Sequence, residues 1–367
     1  MKTNRPSVGL LTWHYYTNYG SMLQAYAMRH IISDLGYNPI FINYRKNYVK
    51  QSFLIRFAWL FLYRLPYSFV SKHLKRFFYP CDRFIHAYFK QTNVIKNEED
   101  LKLVTRDIRT FICGSDQIWA PNVFNPVYML SFVPDESRKI SYAASIGLNE
   151  IPQDLVTEYQ KYISRFDSVS VRESQGKEIL DKHCNISANV VLDPTLMVDI
   201  SQWKEIEIPC TITTPYIFCY FLKTDHQYKE AVQKLAKDYG CDIYGVSDNP
   251  LDSGWMRTFT HNEVGPREFL GLINDAKVVV TDSYHGTIFS LLHHKDFITL
   301  ERFADTDKVC QNSRIYQLVQ YFGIADNIVR LQTNSSLSVC HVNYNYFESQ
   351  LKKLRKSSLE FLKNALK

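Results

Sequence analysis

Eight cysteines are scattered through the chain without a single CxxC pair, which excludes a zinc knuckle and a thioredoxin-like redox motif. Cys113, Cys219 and Cys241 lie in apolar, strand-like runs and read as reduced core thiols of a cytoplasmic protein. Neither GxGxxG nor GxxxxGKS/T occurs, so the common dinucleotide fingerprint and the P-loop are excluded. No apolar run approaches the roughly 20 residues a spanning helix needs. The strongest candidate, FAWLFLY at 57–63, is a short run between Arg56 and Arg64. The opening MKTNRPSVGLL is too polar for a signal peptide. Neither sign of charge dominates: 43 Lys and Arg face 37 Asp and Glu, a net +6. That balance suits an anionic substrate or a membrane surface, and no nucleic-acid-reading motif accompanies it. No short repeat and no low-complexity tract is present.

What is present is 367 residues, 46% of them hydrophobic, enough for two cores. VGLLTW (8–13) reads as a buried strand, SMLQAYAMRHIISDLG (21–36) as a helix and NPIFINY (38–44) as the next strand. Ser21 and Gln24 have the spacing of a capping box, and Gly36 suits the helix stop. Strand, loop, helix, strand is the opening of a doubly wound α/β unit. Further strand-like runs follow at 110–113, 139–145, 167–172 and 189–193. From 216 onward strands and helices alternate again, ending in a lysine-rich amphipathic helix at 346–367. The reading is two Rossmann-like domains facing a cleft: 1–200, then 201–340, with a C-terminal helix over 341–367. The polar stretch 199–214 is the expected linker. Residues 51–91 hold seven Lys or Arg, one acid (Asp82) and thirteen aromatics. They read as helices inserted in the first domain: either a packed cap, or an interfacial surface for a lipid-linked acceptor.

In open α/β sheets ligands bind beyond the carboxyl ends of strands, and four polar clusters fall there. Asn18, Gly20 and Ser21 precede a helix whose free amides could meet an anion, or simply cap it. Ser115 and Asp116 directly follow the strand TFIC. Arg172 ends a strand and could fork onto a carboxylate or phosphate, or pair with Glu173 or another acid. Asp282, Ser283, His285, Gly286 and Thr287 form a strand-to-helix turn. There Thr287 could cap the helix, and His285 could bind phosphate as imidazolium or deliver a proton. His293 and His294 end that helix and read as exposed or dipole-facing residues. Asp305-Thr306-Asp307 has DxD spacing, a weak signal that reads as a solvated loop. Glu150 and Glu158 have an ExxxxxxxE spacing in the wrong domain for a retaining glycosyltransferase.

Seven stretches occur in order over about 8–330: VGLLTWHYYTNYGSMLQAYAM, FICGSDQIW, ISYAASIG, SVSVRES, VVLDPTLM, GPREFLGLINDAKVVVTDSYHGTIFS and NSRI. Together they resemble the polysaccharide pyruvyl transferase family. The resemblance implies a fold like the GT-B glycosyltransferases. It also implies transfer of a pyruvyl group from phosphoenolpyruvate onto two hydroxyls of a sugar, giving a cyclic ketal in a bacterial surface polysaccharide. It places donor-anchoring roles on Arg172 and His285, with Tyr284 standing where phenylalanine is frequent.

On this reading Ser283, Gly286 and Thr287 complete the donor site, and His285 is the general acid or phosphate ligand. Asp116 or Asp282 is the base for a sugar hydroxyl, and Asn18, Gly20, Ser21 and Ser115 form an acceptor or anion loop. Neither a metal nor a cofactor is expected, phosphoenolpyruvate being a co-substrate. The partners are a sugar or lipid-linked oligosaccharide, with a peripheral contact at the inner membrane face. Two rival readings are a GT-B glycosyltransferase using a nucleotide sugar and a non-catalytic glycan-assembly protein.

Overall fold

A computed structural model describes residues 5–15, 18–46, 80–223, 226–246, 255–259, 263–307, 310–331 and 336–367. The first half contains β1 (Ser7–Leu11), α1 (Tyr19–Asp34), β2 (Asn38–Phe41), α2 (Pro80–Tyr88), α3 (Glu98–Val104), β3 (Thr110–Cys113), β4 (Arg138–Ser141), α4 (Gln153–Ile163), β5 (Ser170–Val171), α5 (Ser174–Cys184) and β6 (Asn189–Val190). Two short helices follow, α6 (Pro194–Met197) and α7 (Ile200–Ile206). The second half contains β7 (Tyr216–Tyr220), α8 (His226–Tyr239), β8 (Asp242–Val246), β9 (Arg257–Phe259), α9 (Pro266–Asp275), β10 (Val278–Thr281), α10 (Tyr284–Leu292), β11 (Phe297–Leu300), α11 (Ser313–Phe322), β12 (Ile328–Val329) and α12 (Tyr344–Leu366).

The strands pair in parallel throughout, as helical crossovers require. The first sheet has the order β2-β1-β3-β4, and the short β5–β6 pair extends it through bridges from Ile140 to Ser168 and Ala144 to Val171. The second has the order β12-β11-β10-β7-β8-β9. Parallel strands covered on both faces must be apolar throughout. The inner strands YIFCY, VVVT and FITL obey this and are buried along their whole length. Each sheet reverses its winding once. After β1 the chain lays β2 on one side and β3 on the other; after β7 it lays β8 on one side and β10 on the other. A crevice opens at the carboxyl ends of the strands at each such reversal. The first is bounded by residues 12–21 and 114–117, the second by 221–223 and 282–286.

One apolar core joins the two halves, running from Val8 and Leu23 through Trp203 to Phe218, Val279 and Phe347. The last helix fastens them. Phe347 packs edge-on to Phe322 in the second half. Further along α12, Ser358 Oγ accepts from Leu192 N at 3.0 Å, and Arg138 and Tyr37 donate to the carbonyls of Ala365 and Leu366. Among the described residues, no helix is long and apolar enough to cross a membrane.

Several local expectations are corrected. The stretch 199–214 is not simply a linker: it holds α7, capped by Asp199 with Gln202, and Trp203 is fully buried. Seven helical residues are too few to show periodicity. α1 begins at Tyr19 with Asn18 as its cap, so Ser21 is not the cap and its hydroxyl is free for another partner. α10 begins at Tyr284 with Ser283 as its cap, and Thr287 instead donates to Ser283 O and pairs with Thr299. His293 is buried, bonded to Phe289 O and Glu207, while His294 stacks on Tyr344. Cys113 and Cys219 are buried, but Cys241 is only half-buried. The helical reading of 51–91 lies mostly outside the described residues; within them, α2 is a helix.

Candidate active site

The two crevices meet. The first turn of α1 reaches into the second half: the Tyr19 ring stacks on Phe269, and its hydroxyl donates to Val264 O at 2.9 Å. This brings Gly20 against the imidazole of His285. A Cβ on Gly20 would collide with Nδ1 and stand 2.5 Å from Cγ of that ring. Glycine is required here by close approach. One turn later Gln24 ties α1 to the loop after β3, donating to Thr12 Oγ1 and accepting from Ser115 N. That loop turns at Gly114, whose φ of +115° and contact with Tyr142 O admit no side chain. Asp116 sits beyond it at φ 66°, accepts from its own neighbour Gln117 N, and takes a short hydrogen bond from Ser21 Oγ.

Asp193 is the hub. It follows β6 and is 1% exposed. Its Oδ1 accepts from the amide and hydroxyl of Thr195, fixing the start of α6. Its Oδ2 accepts from Ser115 Oγ at 3.0 Å and from Arg172 Nη1 at 2.9 Å. His285 Nε2 stands 3.7 Å from the same oxygen, beyond hydrogen-bond distance but within ion-pair range once the ring is protonated. Burial opposes the charge of Asp193, yet His285, Arg172 and Thr195 outweigh it and hold the carboxyl well below the usual carboxylate range. Arg172, 2% exposed, also donates from Nε to Glu173 at 2.8 Å, and lies 4.3 Å from the centroid of the Tyr284 ring. Its Nη2 and the Nε2 of His285 are buried and hydrogen-bonded to nothing among the described residues. An unsatisfied buried polar atom is costly, so two of them in one place mark a site built to receive a partner. The start of α10 adds helix amides lacking intrahelical partners.

The structure thus gathers Gly20, Ser21, Ser115, Asp116, Arg172 and His285 around Asp193. Asn18, Ser283 and Thr287 serve their helices, and Gly286 packs against Thr281. Asp282 stands apart. Its carboxylate accepts from the backbone amides of Leu222 and Lys223 at 2.6 and 3.0 Å, closing the loop after β7. Burial nevertheless raises its pKa. Asp305 is bound by Tyr316 and Arg330 on the surface. Among the described residues no group of three His, Cys, Asp or Glu could hold a metal ion. Sequence reasoning missed Asp193 as a site residue and read it only as the end of a strand. A signal existed, because an acid at a strand's carboxyl end, ahead of a Pro-Thr helix start, has the placement that singled out Asp116.

The Gly20 contact gives a direct expectation. Gly20→Ala must push the imidazole or the helix aside. Turnover should fall about 100-fold, the cost of a misplacement near 1 Å, with a stability loss of about 1–3 kcal/mol from overpacking. Steady-state kinetics beside thermal unfolding checks it; wild-type turnover would show that the His285 ring position is irrelevant.

Comparison with known proteins fits this architecture. A Listeria monocytogenes protein assigned as a UDP-N-acetylglucosamine 2-epimerase superposes with a TM-score of 0.54 at 8% identity, over 98% of this chain and 91% of its own. A UDP-GlcNAc 2-epimerase from Neisseria meningitidis, bound to UDP-GlcNAc, gives 0.50 at 11% identity over 97% and 93%. An alpha-glucosyltransferase in complex with UDP and a 13-mer DNA gives 0.50 at 8% identity over 98% and 95%. These likenesses establish a two-domain, Rossmann-like GT-B fold. No curated protein sequence matches the chain. The polysaccharide pyruvyl transferase model matches residues 18–302, from the cap of α1 to just past β11. That span takes in every residue of the centre just described, and the chain belongs to the polysaccharide pyruvyl transferase family.

Proposed function

We propose that this protein transfers the pyruvyl group of phosphoenolpyruvate to two hydroxyls of a sugar, forming a cyclic ketal in surface-polysaccharide biosynthesis. The observation that carries the reading is the buried Arg172–Asp193–His285 assembly at the junction of the two crevices, with one nitrogen on each of Arg172 and His285 left unbonded among the described residues. A small donor bearing a phosphate and a carboxylate matches fixed cationic donors in a tight, buried place.

In the first step a proton adds to the donor's methylene carbon as a sugar hydroxyl oxygen bonds to the neighbouring carbon and loses its proton. In the second, another hydroxyl displaces phosphate from that carbon and closes the ring, its proton leaving with the phosphate. His285 supplies the first proton, its imidazolium held by the ionised Asp193. Asp116, hydrogen-bonded to Ser21 on the α1 side, is the candidate base for a hydroxyl, and Asp282 is the weaker candidate because its carboxylate already closes the β7 loop. The acceptor would approach from the first half, through Ser21 and Ser115. The sugar is free or lipid-linked, and a lipid-linked acceptor would bring the protein to the inner membrane face.

The test is release of inorganic phosphate from phosphoenolpyruvate in the presence of glycan acceptors, with mass spectrometry of the product. One pyruvyl ketal per transfer is the expected gain in mass. The solved structures bound to UDP favour a second reading, a nucleotide-sugar transferase. It would prevail if UDP-sugars, and not phosphoenolpyruvate, raise the melting temperature.

A further inference from the structure

Arg172 cannot bind a multiply charged donor by itself. Its one positive charge already faces Glu173 and Asp193 at hydrogen-bonding distance, with Asp116 also acting on it. Three carboxylates around one guanidinium leave the centre negative, and even a protonated His285 does not reverse the sign. An anion carrying phosphate and carboxylate would be repelled unless more cations face the same place.

Two more are there, on the second half. Arg314 lies in the first turn of α11 and is 9% exposed. Its hydrogen bonds go to Gln311, through the backbone carbonyl and Oε1, and no carboxylate among the described residues lies within ion-pair distance of it. Its guanidinium sits 5.9 Å from the centroid of the same Tyr284 ring that Arg172 covers at 4.3 Å. Arg302 stands two residues past the end of β11, and its Nε is buried without a hydrogen-bond partner among the described residues. Burial, then the repulsion of Arg172 and Arg302, pushes the Arg314 pKa down to about 10. Glu173 and Asp116 act on it only from beyond ion-pair distance, and a buried cation with no acid in contact costs stability, which argues for a partner that arrives.

We infer that Arg314, assisted by Arg302, is the anchor for the donor's phosphate, beside the same Tyr284 ring that the Asp193-bound Arg172 covers. The inference rests on the pyruvyl-transfer reading for the donor's identity, but the anion site stands on its own geometry. It divides the labour: Arg172 and His285 meet the carbon skeleton and carboxylate end, and Arg314 and Arg302 receive the group that leaves. The Tyr284 ring lies beside both guanidiniums.

Thermal unfolding and calorimetry of the full chain test this, with inorganic phosphate and phosphoenolpyruvate as separate probes. Arg314→Gln should weaken both probes roughly 10- to 100-fold, the loss of one charge-assisted hydrogen-bonding group. Arg314→Lys should recover part of that loss. Without ligand, Arg314→Gln should melt at or above the wild-type temperature, whereas an arginine with a purely structural role would melt lower. Unchanged phosphate affinity in Arg314→Gln, or a lower unliganded melting temperature with unchanged affinity, overturns the inference. If the wild type binds phosphate through Arg314 but ignores phosphoenolpyruvate, the anion anchor holds and the donor reading fails. If the wild type turns over phosphoenolpyruvate and Arg314→Gln does so equally well, the donor reading holds and the anchor fails.

Discussion

Replacing Asp193 with asparagine lowers the stability of this protein by about 3–5 kcal/mol, the cost of removing one partner from a buried ion pair. The amide can still accept from Thr195 through its oxygen. Its nitrogen then occupies the place of Oδ2, where Arg172 Nη1 and Ser115 Oγ both donate. Ser115 can turn its hydroxyl round; Arg172 has no acceptor to offer and is left facing another donor. The effect spans the molecule, because Asp193 joins the loop after β3, the end of β5 and the start of α6, and faces α10 across the crevice. Activity should fall with stability, since Arg172 and His285 lose their shared reference point. Urea unfolding of the variant beside wild type reads the first effect. A midpoint within experimental scatter of wild type would show that Asp193 does not hold the centre together.

The alternation of apolar strands with amphipathic helices made the two doubly wound units legible in the sequence. The runs TFIC and VVVT state their own burial. What could not be read was local and short. α7 spans too few residues for a period, and β9 and β12 are strands of three and two residues set by their neighbours in the sheet. Cap positions slipped by up to four residues, since Asn18 and Ser21, or Ser283 and Thr287, are equally good caps by composition. Only the packing of Tyr19 and Tyr284 decides between them. The site shows the same division. Strand-end placement identified Ser115, Asp116, Arg172 and His285 one at a time. That Asp193 binds two of them, 78 and 21 residues away, and that Arg314 shares a ring with Arg172, are contacts between separate segments, which no local pattern encodes. The charge balance of the centre became countable only when those segments were placed together.

His285→Ala should reduce phosphate release from phosphoenolpyruvate by a factor of about 100 to 10,000, the range for loss of a positioned acid. The protein should remain folded. Nε2 makes no hydrogen bond, and its 3.7 Å approach to Asp193 counts only when the ring is charged. The ring packs between Gly20 and Tyr284, so alanine leaves a small void; His285→Gln fills more of it without restoring an acid and separates packing from chemistry. The kinetic split decides the role. A proton donor contributes to the transition state, so its loss lowers kcat and leaves KM for phosphoenolpyruvate near wild type. A phosphate ligand contributes to ground-state binding as well, and its loss raises KM. Asp193 makes this arrangement workable, because a carboxyl held ionised at all physiological pH values keeps a charge facing the imidazolium throughout the cycle. Full activity in His285→Gln would remove the imidazole from the chemistry and leave the Arg172 and Arg314 guanidiniums as the groups that act on the donor.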